Sequence, residues 1–172
     1  MQAATILAIC ALFVSALSLF TSIYFSWCAR DHNRRSVKPL PFVAQRDFED
    51  EIAVVIRNNG TGPMILQKAL VSSASDGRSG HLIDLIPGPP SGVLFKNFNK
   101  VHQVRAIRPG DEVELLVLPV DAKDRAASEY RESLRRALGS MTVELTYTDI
   151  YGTKFPAHTL RMNWFHRHFN PT

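Results

Sequence analysis

The chain has 172 residues, 45% hydrophobic and 21% charged, with two cysteines and a formal net charge of +4. That length holds one ordinary domain plus an appendage and leaves too little for two full cores. The composition excludes a disordered, collagenous or disulfide-stapled chain, and no charged side chain occurs before Arg30.

The uncharged stretch is the first predicted element. A helix over residues 4–25 is about 33 Å long at about 1.5 Å per residue, enough to cross a hydrocarbon core of about 30 Å. Tyr24 and Trp27 fall where interfacial aromatics belong, and Arg30 follows. A cleaved signal peptide would need a basic start and small residues before the cut. Neither is present, since a cut after Ala29 places Trp27 where a small residue is required. Residues 25–28, Phe-Ser-Trp-Cys, do not form a lipid-attachment box. Residues 1–29 are therefore read as an uncleaved anchor.

Orientation follows from charge. Arg30, Arg34, Arg35 and Lys38 stand against Asp31, whereas residues 39–172 hold 16 basic and 15 acidic side chains. The positive-inside rule then puts the N-terminus outside and the rest in the cytoplasm. The cluster is better matched to anionic lipid headgroups than to nucleic acid, and no nucleic-acid partner is expected. Within the anchor, Ala4, Ala8, Ala11, Ser15, Ser18 and Ser22 repeat at intervals of four and three. Such a seam of small residues is a candidate face for self- or hetero-association in lipid.

Residues 30–41 read as a basic linker, with Pro39 and Pro41 favouring extended chain. Residues 42–172 read as a mainly β domain. An Ile/Val-rich strand over 51–57 stops at the turn cluster Asn58-Asn59-Gly60-Thr61-Gly62-Pro63, and a second apolar run covers 64–72. A Pro-rich loop over 86–92 precedes a short strand over 93–98. After the turn Arg108-Pro109-Gly110-Asp111, Val113, Leu115 and Val117 alternate with Glu112, Glu114 and Leu116. An amphipathic helix is predicted over about 121–138, opened by Asp121 and Asp124 and closed by Gly139. Val143, Leu145 and Tyr147 form a further strand, Asp149-Ile150-Tyr151-Gly152 a hairpin turn, and Leu160, Met162 and Trp164 the inward face of its return strand. Six or seven short strands with local antiparallel connections and one inserted helix suggest an immunoglobulin-like β-sandwich. Both cysteines, Cys10 and Cys28, lie in the anchor, so the usual core disulfide of that fold is excluded.

The order "apolar span, RDHNRRSVKP, NNGTGPMIL, RPGDEVELL, helix, VELTYTDIYG" resembles small, uncharacterised bacterial single-pass membrane proteins. These pair an N-terminal transmembrane helix with an immunoglobulin-like domain. The resemblance covers nearly the whole chain and implies an inner-membrane location. It carries no catalytic residues.

Candidate chemistry is sparse. On an extended strand His166 and His168 would point the same way and could chelate an ion, with His158 or His102 arriving from elsewhere. Two solvated histidines are the preferred reading, and no metal or cofactor is expected. Asp149 and Tyr151 occupy a turn rather than an acid–phenol site. Asn59-Gly60-Thr61 matches a glycosylation sequon but also serves as a turn. The Gly60–Pro63 loop lacks the Lys-Ser/Thr of a phosphate cradle, and no nucleophile elbow occurs. No enzymatic activity is expected. Aromatic candidates for a protein contact are Phe95 and Phe98, beside Val93 and Leu94, and Phe165 and Phe169 in the tail, with Trp164 assigned to the core. These features point to a membrane-tethered protein-interaction module. The alternative is a self-associating effector or sensor that answers to a ligand bound in the sandwich.

Overall fold

A computed structural model describes residues 2–75, 77–101, 103–121 and 123–169. It divides into two units, residues 1–37 and 38–172. The first is a single helix, α1 (Gln2–Ser36), none of whose residues is buried. It continues beyond the expected end of the anchor and takes in Arg30, Arg34 and Arg35. Nothing from Arg30 to Ser36 breaks a helix. Asp31 and Arg35 pair at 2.9 Å one turn apart, and cations in the last turn favour the negative end of the helix dipole. Pro39 bars further helix. The expected linker over 30–41 thus shrinks to a few residues.

The second unit consists of two antiparallel sheets with helices at their connections. The first sheet runs in the order β1 (Pro41–Asp47), β2 (Glu51–Asn58), β7 (Glu112–Pro119), β5 (Asn97–Phe98). The second runs β4 (Ser79–Gly80), β3 (Met64–Ser73), β8 (Met141–Thr148), β9 (His158–Arg161), with β6 (Arg105–Ile107) also paired to β3. Strand β1 is absent from the sequence reading. It is an edge strand that starts with a proline and turns a charged residue, Asp47, inward, two devices that guard exposed edges. The segment after the Pro-rich loop forms only β5. Val93 lies in the core at 5% exposure, and Phe98 is exposed.

One hydrophobic cluster joins both sheets, with Ile52, Val54 and Ile56 from β2, Met64, Leu66 and Val71 from β3, and Val143 and Leu145 from β8. Each sheet has an irregularity that shifts this inward pattern. In β7 the register slips opposite Val54 and Val55, so that Val54 faces Leu116 and Val55 faces Glu114. The extra residue, Leu115, resets the alternation. Val113 and Leu115 reach the core before it, and Leu116 and Leu118 after it. Simple alternation had placed Leu116 outside and Val117 inside. A second slip between Leu66 and Lys68 does the same in β3.

Two helices interrupt the strands. The short α2 (Leu82–Leu85) is an addition to the predicted elements. The amphipathic α3 (Arg125–Gly139) begins four residues later than expected. Asp124 is its N-cap, accepting the Ala126 and Ala127 amides at 2.9 and 3.3 Å. Asp121 belongs to the turn before it, accepting the Lys123 amide at 2.9 Å. Ala127, Tyr130, Leu134 and Leu138 form the buried face. The Tyr130 hydroxyl donates to the Pro87 carbonyl at 2.6 Å, and burial pushes this phenol up to about 12.

The last element also departs from expectation. After Arg161 the chain leaves the sheet for a 3-10 helix, Asn163–His168. Inward positions then recur every three residues rather than every two. Met162 and Phe165 are fully buried, and Trp164, assigned to the core by alternation, is 41% exposed.

Candidate functional site

In α1 the expected interfacial residues Tyr24, Trp27, Arg30, Arg34 and Arg35 lie on one continuous helix with the candidate association residues Ala4, Ala8, Ala11, Ser15, Ser18 and Ser22. The helix is long and apolar enough to span a membrane. Two hydroxyls of the small-residue seam already have acceptors on their own helix. Ser15 donates to the Ala11 carbonyl and Ser18 to that of Val14, both at 2.8 Å. Any association along this seam therefore rests on close backbone packing more than on cross-helix hydroxyl bonds. Lys38 belongs to the second unit.

The four aromatic candidates separate by burial. Phe98, at 51% exposure, and Leu94, at 77%, face solvent. Phe95 is half-buried between the Phe98 and Tyr130 rings, with centroids at 6.5 and 6.2 Å. Phe169 is half-buried beneath the Arg136 guanidinium, 5.1 Å from the ring centroid. Phe165 is a core residue and offers no contact surface, which corrects its assignment as a partner contact. Trp164 takes the outer position instead, with the Arg167 guanidinium 3.3 Å above its ring.

The densest polar cluster has no counterpart among the sequence candidates. The Asp47 carboxylate at the end of β1 is fully buried and is met by three arginines. Arg131 and Arg135 of α3 approach Oδ1 at 2.6 and 2.9 Å, and Arg167 of the 3-10 helix approaches Oδ2 at 3.1 Å. Arg131 also donates to the Glu49 carbonyl at 3.0 Å and to the Phe48 carbonyl, clamping the β1–β2 turn. Burial alone would raise the Asp47 pKa. The hydrogen bonds and charges of Arg135 and Arg131 outweigh it and hold the carboxyl below its usual value of 3.8. Asp47 and Arg167 are 120 positions apart, so no spacing rule links them.

A second buried polar centre is Asn58, at 0% exposure. Its Oδ1 accepts the Leu40 and Gly60 amides at 3.2 and 3.0 Å. Its Nδ2 donates to the Gly62 and Ile107 carbonyls at 2.8 and 3.1 Å. The turn it supports fastens the chain that enters from α1. Asn59 and Thr61 donate to the Leu40 and Lys38 carbonyls at 2.8 and 3.2 Å. Gly60 lies flat on this segment, and a Cβ there would strike the backbone of Lys38, Pro39 and Leu40. Gly60→Ala should therefore cost about 1–3 kcal/mol of stability, read as a lower denaturant midpoint at unchanged slope.

The remaining candidates resolve as structural. The Asp149 Oδ1 accepts the Tyr151 and Thr153 amides, both at 2.8 Å, which makes it the organiser of its own turn. His166 lies on the 3-10 helix rather than on a strand, and its Nε2 is 3.3 Å from the Arg136 carbonyl. The His168 side chain and His102 lie outside the described residues. Among the described residues no three His, Cys, Asp or Glu side chains gather as a metal site. An open depression of about 430 Å³ lies beside Lys100, Val104 and Arg105. The chain matches no protein-family model, and no curated protein is significantly similar to it in sequence.

Proposed function

We propose that this chain is a single-pass inner-membrane protein whose immunoglobulin-like domain works in the cytoplasm as a non-enzymatic protein-interaction module. The observation that carries this reading is the joining of a helix whose stretch before Arg30 is uncharged and of spanning length to a separate compact antiparallel unit. Strand order supports the immunoglobulin-like assignment. With β1, β2, β3, β4, β5, β7, β8 and β9 taken as A, B, C, C′, D, E, F and G, the two sheets read A-B-E-D and C′-C-F-G. The cations Arg30, Arg34, Arg35 and Lys38 support a cytoplasmic domain and contact with anionic headgroups. Exposed Leu94 and Phe98, with half-buried Phe95, form the apolar surface best suited to a protein partner.

Reporter fusions at Thr172, combined with mild crosslinking through the same tag, test the proposal. Activity of a cytoplasmic reporter and recovery of one stoichiometric partner are the expected results. Activity of a periplasmic reporter would overturn the orientation. A domain that captures only its own copies would favour a self-associating effector.

A further inference from the structure

Four segments of the second unit meet at the end where the chain enters it. Residues 38–40 are hydrogen-bonded to the Asn58–Thr61 turn, and the Gly110 amide donates to the Asn58 carbonyl at 2.8 Å. The Lys38 ammonium lies 5.8 Å from the centroid of the Phe155 ring, which brings in the β8–β9 connection. Leu40, Ile150 and Tyr151 are 57%, 51% and 50% exposed on this end. Exposed Lys38, Arg108 and Lys154 stand in the same segments. Of the two carboxylates there, Asp149 is buried in its turn and Asp111 lies 3.8 Å from Arg108. Apolar side chains ringed by a cationic excess are the pattern of a surface that lies on anionic lipid.

We infer that this end of the domain docks on an anionic phospholipid surface, as a membrane contact additional to α1. The inference rests on the reading of α1 as a membrane span. Only Val37 separates the last residue of α1 from Lys38, so this is the end of the domain to which the anchor is covalently joined. Leu40, Ile150 and Tyr151 supply the shallow apolar insertion. Lys38, Arg108 and Lys154 supply the attraction to headgroup phosphates, which salt screens.

The test uses the full chain with Cys10 and Cys28 replaced by serine and an environment-sensitive dye on Ile150→Cys. It is reconstituted into vesicles of phosphatidylcholine alone or mixed with phosphatidylglycerol. A second sample carries the dye on Leu94→Cys, beside the start of α3. The expected result is a blue shift at position 150 confined to the anionic vesicles, with none at position 94. High salt, or the combined Lys38→Glu, Arg108→Glu and Lys154→Glu changes, should return the emission to its value in water. The salt series decides the matter even if the triple variant misfolds. Water-like emission at 150 on protein that floats with anionic vesicles would overturn docking and leave the anchor standing. Equal shifts at both positions, or in both lipids, would overturn it as well. Protein that fails to float would overturn the anchor reading and this inference together.

Discussion

Asp47→Ala should destabilise the domain by about 3–5 kcal/mol, because Arg131 loses its carboxylate and Arg135 is left with Glu132 of its own helix as its carboxylate partner. Arg131 and Arg135 have side chains only 13% and 12% exposed, so water cannot take the place of the lost carboxylate. The same change removes the ion pairs that join α3 and the 3-10 helix to β1, and unfolding followed by circular dichroism at neutral pH measures the loss. Asp47→Asn separates charge from shape. It keeps one oxygen acceptor and should cost less than the alanine. The pH dependence has a definite sign. A carboxyl held below its unfolded value contributes fully above that value, near pH 3.9, and loses its contribution as pH falls through the folded-state pKa. The stability gap between the native chain and Asp47→Asn should therefore hold steady from pH 7 to about pH 5 and narrow below about pH 4. A gap that stays constant into acid would show that the Asp47 charge does not stabilise the fold.

Asn58→Ala should cost about 2–4 kcal/mol, the second large effect. Four backbone groups lose their partner, of which the Gly62 and Ile107 carbonyls belong to buried residues. An orphaned buried polar group costs about 1–3 kcal/mol, and water can reach the exposed Leu40 amide. At this domain size the loss corresponds to a fall of roughly 10 °C in Tm. Asn58→Asp retains the acceptor for Leu40 and Gly60 but loses both donors and buries a charge. It should be at least as damaging as the alanine at neutral pH. An aspartate variant as stable as the native chain would show that the Gly62 and Ile107 contacts contribute nothing.

Both centres show where sequence reading stops. Asn58 was legible as part of a turn, because Asn and Gly clusters mark turns by local chemistry. That its side chain binds Leu40 on one side and Ile107 on another depends on segments 18 and 49 positions away. Asp47 offered no local signal at all. The aromatic tail illustrates a different limit. Alternation assigned Trp164 inward, Phe165 was a candidate surface contact, and the change to a 3-10 helix at Asn163 exchanges the two. Leu115 is a similar case, since one extra residue in a strand reverses the parity of everything beyond it.

What the sequence determined by itself is therefore what short-range physics controls. An uncharged run of spanning length, its aromatic and cationic boundary, the turns at Asn58, Arg108 and Asp149, the amphipathic stripe of α3 and the alternation in β8 all follow from neighbouring residues. The tertiary structure alone decided the order of strands in each sheet, the inward aim of Asp47, the burial of Phe165 in place of Trp164, and the gathering of Lys38, Arg108 and Lys154 at one end. Each of these depends on segments far apart in the chain. Their positions are set by the packing of one shared core, and local propensity carries no record of it.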